Sequence, residues 1–163
     1  MIKALFPGNF DPPTYGHFNI VARASRLFDK LDVVISVNPN KTPFFTTQER
    51  VELMQKYCAE YKNVTVTHWQ GLTVDYARHN NINIIVRGLR PLSDFAYEFE
   101  IASINHQLNN EVETMFIPTI PKYSVLRSSS LKEMALFGAE INSLAPPEII
   151  AMVKERIKVD NNS

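Results

Sequence analysis

Four cationic or protonatable side chains stand out for where they fall in this sequence: His17, Lys41, Arg87 and Arg90. His17 closes the run Pro7-Gly8-Asn9-Phe10-Asp11-Pro12-Pro13-Thr14-Tyr15-Gly16-His17, whose glycines suit a backbone that turns sharply or approaches a ligand. At the start of a helix, an imidazole N–H and free backbone N–H groups can converge on a phosphate. Lys41, Arg87 and Arg90 each follow a β-branched apolar run and would add charge to the same anion site. Each residue also has a plainer reading. A lone histidine is more often a cap or core residue, a lysine is commonly solvated, and Arg87 and Arg90 have Asp94 and Glu98 within reach for structural ion pairs. Asp11 can be read as a metal ligand, but a loop aspartate between Phe10 and Pro12 more often makes a turn bond.

The elements that must position these residues follow from periodicity. Apolar runs predict strands at 2–6, 31–37, 64–69, 82–86 and 114–117, the first stopped by Pro7-Gly8 and the second by Asn38-Pro39. Helical spacing predicts helices at 17–28, 48–61, 94–108, 129–137 and 147–157, with a short one beginning at Val74. Strands alternating with helices imply an α/β fold, a doubly wound five-stranded parallel sheet of Rossmann-like form. In such sheets ligands bind beyond the carboxyl ends of the strands, which points to segments 7–17, 38–46, 87–94 and 118–129.

Composition narrows the rest. The chain has 163 residues, enough for one buried core, so a single domain over 1–159 with a frayed tail at 160–163 is expected. Lys plus Arg and Asp plus Glu number 17 each, which leaves no global field for a polyanion, so a nucleic-acid-coating role is excluded. The longest apolar run falls well short of a membrane span, and Pro7 interrupts the start too early for a signal peptide. Cys58 is the single cysteine and lies on the apolar side of a predicted helix, so no intrachain disulfide forms and a reducing cytoplasmic compartment is expected. His68, His79 and His106 lack ligand spacing, and no protein metal site is predicted; Trp69, Tyr57 and Phe99 read as core or subunit contacts.

Gly8-Asn9-Phe10-Asp11-Pro12 with Thr14-Tyr15-Gly16-His17 resembles the signature of the T/HxGH nucleotidyltransferases. With Thr14 in place of a first histidine, and with Ile85-Val86-Arg87-Gly88-Leu89-Arg90 and Asp94-Phe95-Ala96-Tyr97-Glu98 downstream, the chain is similar to the phosphopantetheine adenylyltransferases along nearly its whole length. That resemblance implies transfer of the adenylyl group of ATP to 4'-phosphopantetheine, giving dephospho-coenzyme A and pyrophosphate in the penultimate step of coenzyme A synthesis. It implies that His17 and Lys41 act in transfer, and that Asn9, Phe10, His17, Gly88, Leu89, Arg90 and Glu98 contact ATP. It also implies that Tyr123, Ser124, Val125, Leu126, Arg127, Ser128 and Ser129 form the last ATP-contacting motif, and that Asn9, Lys41, Thr73 and Arg87 take the acceptor. It further implies Mg²⁺ arriving with ATP, dephospho-coenzyme A and coenzyme A as ligands, and hexamers of two trimers.

The sequence departs from the family pattern twice. Asn9 stands where a hydroxyl residue is common, with an amide that both donates and accepts but is bulkier. Aligning Lys132-Glu133 with the family's basic-acidic pair puts Arg127 at the first of three serine positions, where it adds charge to the phosphate or faces solvent; Ser128 or Ser129 then caps the helix. The competing readings are a cytidylyltransferase of phospho-alcohols, a nicotinamide mononucleotide adenylyltransferase, and a module that senses ATP or coenzyme A without turnover. Thr14 and the Arg87 to Glu98 segment argue against the first two. His17 and Lys41 together argue against the third.

Overall fold

The computed structural model describes residues 1–90, 94–124 and 126–161. Its elements run β1 (Lys3–Gly8), α1 (Tyr15–Ala24), β2 (Lys30–Val37), α2 (Thr47–Cys58), β3 (Val64–Gln70), α3 (Thr73–Asn80), β4 (Ile84–Leu89), α4 (Phe95–Leu108), β5 (Glu113–Pro118), α5 (Ser128–Leu136) and α6 (Pro147–Asn161), with a 3-10 turn at Pro121–Tyr123. The strands are all parallel, in the order β3-β2-β1-β4-β5. Strand order therefore reverses between β1 and β4, and the crevice above that point is where such folds take ligands.

Why the strands read as unbroken apolar runs is visible in their packing. Ala4 and Phe6 of β1 and Val33 and Ile35 of β2 join one core with Ile20 and Val21 of α1 and Met54 of α2. The intervening Leu5, Val34 and Ile85 point the other way, into a second core with Val74 and Ala77 of α3. Helices cover both faces at the centre of the sheet, so β1, β2 and β4 carry apolar residues on both sides, with Asp32 of β2 as a buried polar exception. A third core binds Phe45 and Leu53 to Leu131 of α5 and to Ile149 and Val153 of α6, which brings the C-terminal helices against the α2 side.

One boundary differs in a way that matters for the site. The apolar run predicts β4 to stop before Arg87, whereas pairing continues through Arg87↔Phe116, Gly88↔Ile117 and Leu89↔Pro118. Ladder bonds to β5 keep the strand going through residues whose side chains alone give no strand signal. Arg87 is thus held by the sheet rather than by a turn. Among the described residues no helix is long and apolar enough to cross a membrane.

Candidate active site

A cleft of about 720 Å³ opens above the β1/β4 crossover, and it gathers residues from all the segments singled out above. Its wall includes Asn9, Phe10, Thr14 and His17 from the first loop, Lys41 from the second, Arg87, Gly88, Arg90 and Glu98 from β4 and α4, and Tyr123, Leu126, Arg127, Ser128 and Ser129 from the last.

The first loop is built around Phe10. Its ring is 1% exposed, edge-on to Phe6 at 5.4 Å and to His17 at 5.0 Å between centroids, and its backbone sits at φ 49°. That left-handed conformation is unusual for a bulky residue and is held by the burial of the ring. Gly8 follows from it, because a Cβ there would stand 2.9 Å from Phe10 Cζ. Gly16 is different: its backbone is ordinary and a Cβ would find only normal contacts.

Thr14 precedes the first turn of α1, and His17 is that turn's third residue. Thr14 N donates to His17 Nδ1 at 3.0 Å, with Thr14 Oγ1 3.1 Å from the same nitrogen. An imidazole nitrogen that accepts from an amide carries no proton, so the neutral ring bears its hydrogen on Nε2. Burial, then the charges of Arg90 and Arg87, lower the His17 pKa from 6.5 to about 4. At neutral pH the ring is an uncharged N–H donor facing an anion site. The Tyr15 amide, by contrast, is occupied by the Leu144 carbonyl at 3.1 Å, so it is not among the donors a phosphate finds.

The arginines on the β4 side are paired with carboxylates. Arg87 Nε and Nη2 meet Glu98 at 2.7 and 2.9 Å in a two-pronged bridge, and Nη1 donates to the Pro7 carbonyl at 3.2 Å. Arg90 Nε lies 3.2 Å from Asp94 and its Nη1 donates to the Leu126 carbonyl at 3.0 Å. Arg127 reaches the other oxygen of Asp94 at 2.5 Å. The sequence leaves two partners open; the structure gives Arg87 to Glu98 and Arg90 to Asp94.

Several expected positions fall elsewhere. Ser128 is the first residue of α5, its hydroxyl donating to the Pro12 carbonyl at 2.7 Å, and Arg127 precedes the helix without a side-chain capping bond. The serine thus ties two loops together instead of capping α5, because its side chain faces the first loop. Leu89, Ser124 and Thr73 do not line the cleft. The Leu89 carbonyl accepts from Thr119 at 2.8 Å, the Ser124 hydroxyl turns back to Pro121 at 2.9 Å, and Thr73 opens α3 beyond the edge strand β3. Val125 lies outside the described residues. Asp11 makes no bond within its own turn: its oxygens accept from the amides of Phe44 and Phe45 at 2.8 and 2.7 Å, fastening the first loop to the second.

Two cations of the cleft were not singled out from sequence, Arg50 and Lys132. Arg50 had a signal. At helical spacing it falls in the middle of the arc of Val51, Leu53, Met54 and Cys58, where a charge has no business unless it meets a polar partner. Lys132 lies over the Phe44 ring and 3.8 Å from Asp11.

Comparison with known proteins places this geometry. The Cytidylyltransferase-like family model matches residues 5–134. A phosphopantetheine adenylyltransferase of Caldanaerobacter subterraneus subsp. tengcongensis is 45% identical over 158 residues, covering 97% of this chain and 99% of that one. The chain belongs to the phosphopantetheine adenylyltransferases. A member of this family from Clostridium perfringens is 44% identical over 157 residues, covering 96% of each chain. In structure, the nicotinic acid mononucleotide adenylyltransferase of Plasmodium falciparum superposes with a TM-score of 0.66 at 16% identity, covering 97% of each chain. At that identity the likeness speaks for the Rossmann-like fold alone. In this chain the loops that carry the signature residues are the same loops that close on the cleft.

Proposed function

We propose that the cleft joins ATP to 4'-phosphopantetheine by direct attack of the acceptor's phosphate oxygen on the α-phosphorus of ATP. A bond forms between that oxygen and phosphorus, the bond to the bridging α–β oxygen breaks, and pyrophosphate leaves with its electron pair. The attacking atom is already an anion, so the protein need only align two phosphates and stabilise the charge spreading over the α-phosphoryl oxygens. The observation that carries the reading is the neutral His17, whose Nε2–H is fixed by the Thr14 amide beneath cationic neighbours. It donates this N–H where charge develops and, being neutral, carries no imidazolium proton to pass to the leaving group.

The acceptor's phosphate would lie toward Asn9, Lys41 and Arg87, with its pantetheine arm running toward Thr73. The ATP phosphates would lie toward Arg90, Arg127 and the first-turn amides of α5, with Tyr123 alongside. Both oxygens of Asp11 accept backbone N–H bonds and both of Glu98 take Arg87, so both carboxylates are already engaged within the protein and neither is set out as a metal ligand. Mg²⁺ would come with ATP, held by phosphate and water, and would offset the charge of the triphosphate.

Assembly into homohexamers fits the surface of α4, where Phe95, Tyr97, Phe99, Ile104 and Leu108 are all exposed. The chain exposes 9365 Å², above the roughly 8,000 Å² that a compact monomer of this mass shows. We place the protein in the cytoplasm, with dephospho-coenzyme A and coenzyme A as further ligands. Incubation with ATP, Mg²⁺ and a panel of phosphorylated acceptors tests the reaction. Pyrophosphate release with phosphopantetheine is expected; release with nicotinamide mononucleotide or phosphocholine instead would overturn it. Sedimentation at 18.6 kDa alone would remove the hexamer.

A further inference from the structure

Arg50 is 4% exposed and lines the cleft from α2. Its Nε donates to the Thr46 carbonyl at 3.3 Å, Nη1 to the Asn9 carbonyl at 2.9 Å and Nη2 to Thr47 Oγ1 at 3.1 Å. All three acceptors are neutral. Among the described residues no carboxylate stands within ion-pair distance of it, whereas Arg87, Arg90 and Arg127 each have one. Asp11 offsets part of its charge from farther off, but the Asp11 oxygens are already taken by two amides, with Lys132 3.8 Å away. A guanidinium has five N–H groups, and these bonds leave one hydrogen on each Nη unspent.

Burying a cation without an anion is costly, and proteins rarely do it without a use for the charge. Here the cost is borne where α2 meets both the Asn9 loop and the Lys41 loop. Lys41 is exposed, so water screens it; Arg50 is not, and its field reaches the cleft at low local dielectric.

We propose that Arg50 is a further phosphate-binding residue, which supplies from the floor of the cleft the positive charge that selects a phosphomonoester acceptor. This rests on the reading of the cleft given above and deepens it, because it names the group that makes the acceptor's phosphate obligatory. A residue that only anchors the Asn9 carbonyl and the first turn of α2 would, when replaced, weaken ligands with and without phosphate alike. A charge waiting for an anion would weaken only the phosphorylated one.

The test is calorimetric titration of the full chain with 4'-phosphopantetheine and with pantetheine, taking the Kd for pantetheine divided by the Kd for 4'-phosphopantetheine. Arg50→Gln removes the charge but keeps amide donors, and should lower that ratio by about tenfold or more, the worth of one charged hydrogen bond. Arg50→Lys keeps the charge with poorer anchoring, and should hold the ratio within about threefold of wild type. An unchanged ratio in Arg50→Gln would overturn the proposal and leave the acceptor assignment standing. A ratio that falls in Arg50→Lys as well would still be a phosphate-specific loss and would assign it to the guanidinium fork; should Arg50→Gln fail to fold, Arg50→Met, which is also uncharged, is read in its place with the same two outcomes. A wild-type ratio near one would instead overturn the acceptor assignment, and the proposal with it.

Discussion

The two banks of the cleft are charged in opposite styles. On the β4 side, Arg87, Arg90 and Arg127 come already paired with Glu98 and Asp94, so their forks are oriented before any ligand arrives. On the β2 side, Lys41 and Arg50 have no carboxylate within ion-pair distance among the described residues, and Arg50 is buried as well. A paired arginine offers geometry with little net charge, whereas an unpaired one offers net charge at a cost in stability. The first suits alignment of a triphosphate that brings its own counter-ion. The second suits capture of a bare phosphomonoester. His17 stands between the banks and carries no charge at all, which lets it serve the transition state without holding either ground state too tightly.

The largest effect is therefore expected at this seam. His17→Ala should lower kcat by about 10² or more while ATP affinity changes less, because one preorganised donor is lost where charge develops. Steady-state kinetics on the folded variant measure this, and an unchanged kcat would return the ring to a capping role. The same residue gives a pH signature. With the folded pKa near 4 and the unfolded value near 6.5, the folded state prefers the neutral ring. That contribution to stability is complete above about pH 6.5 and drains away as pH falls toward 4. The unliganded wild type should lose Tm over this interval by more than His17→Asn, which keeps an acceptor for the Thr14 amide without a titrating group.

The paired bank should fail in a different way. Arg87→Ala strands the buried Glu98 carboxylate, and urea unfolding should show a loss of about 2 to 4 kcal/mol. It should also weaken phosphopantetheine binding more than ATP binding. Arg90→Ala should chiefly weaken ATP binding, by about 1.5 to 3 kcal/mol, since its fork is already tied to the Leu126 carbonyl of the last loop. Calorimetry separates the two. If both variants weaken ATP alone, Arg87 does not serve the acceptor, and that phosphate rests with Lys41 and Arg50.

Most of the fold was legible because its signals are local. Buried parallel strands give apolar, β-branched runs such as Leu31 to Val37, interrupted only at Asp32 and Ser36, and proline or glycine ends them. The Arg87 end of β4 was not, because pairing with β5 is a property of two segments and leaves no mark in one. Within the site, residues tied to a motif were legible, while those whose importance lies in what they lack were not. Arg50 shows in sequence only as a charge within an apolar helical arc; that its three partners are neutral, with no carboxylate in ion-pair distance among the described residues, is visible only in the structure. Ser128 shows the same limit in reverse. Its type fits a helix cap, but which loop its hydroxyl faces is settled by the third core, where Leu131 sets the roll of α5.

The smallest effect sharpens the contrast between the banks most directly. Asp94 holds Arg90 through one oxygen and Arg127 through the other, a bridge between the start of α4 and the start of α5 across the mouth of the cleft. Asp94→Asn keeps the shape and a carbonyl oxygen but removes the charge, turning this part of the paired bank into an unpaired one. Arg127 is 46% exposed, so water screens its bridge and the loss of stability should stay within about 1 kcal/mol. The freed forks should then meet the ATP phosphates with no carboxylate to displace, and ATP affinity should rise by up to about threefold, with phosphopantetheine affinity unchanged. If ATP affinity instead falls several-fold, the carboxylate is aiming the two guanidinium groups and not competing for them. The paired bank would then owe its function to the pairing itself.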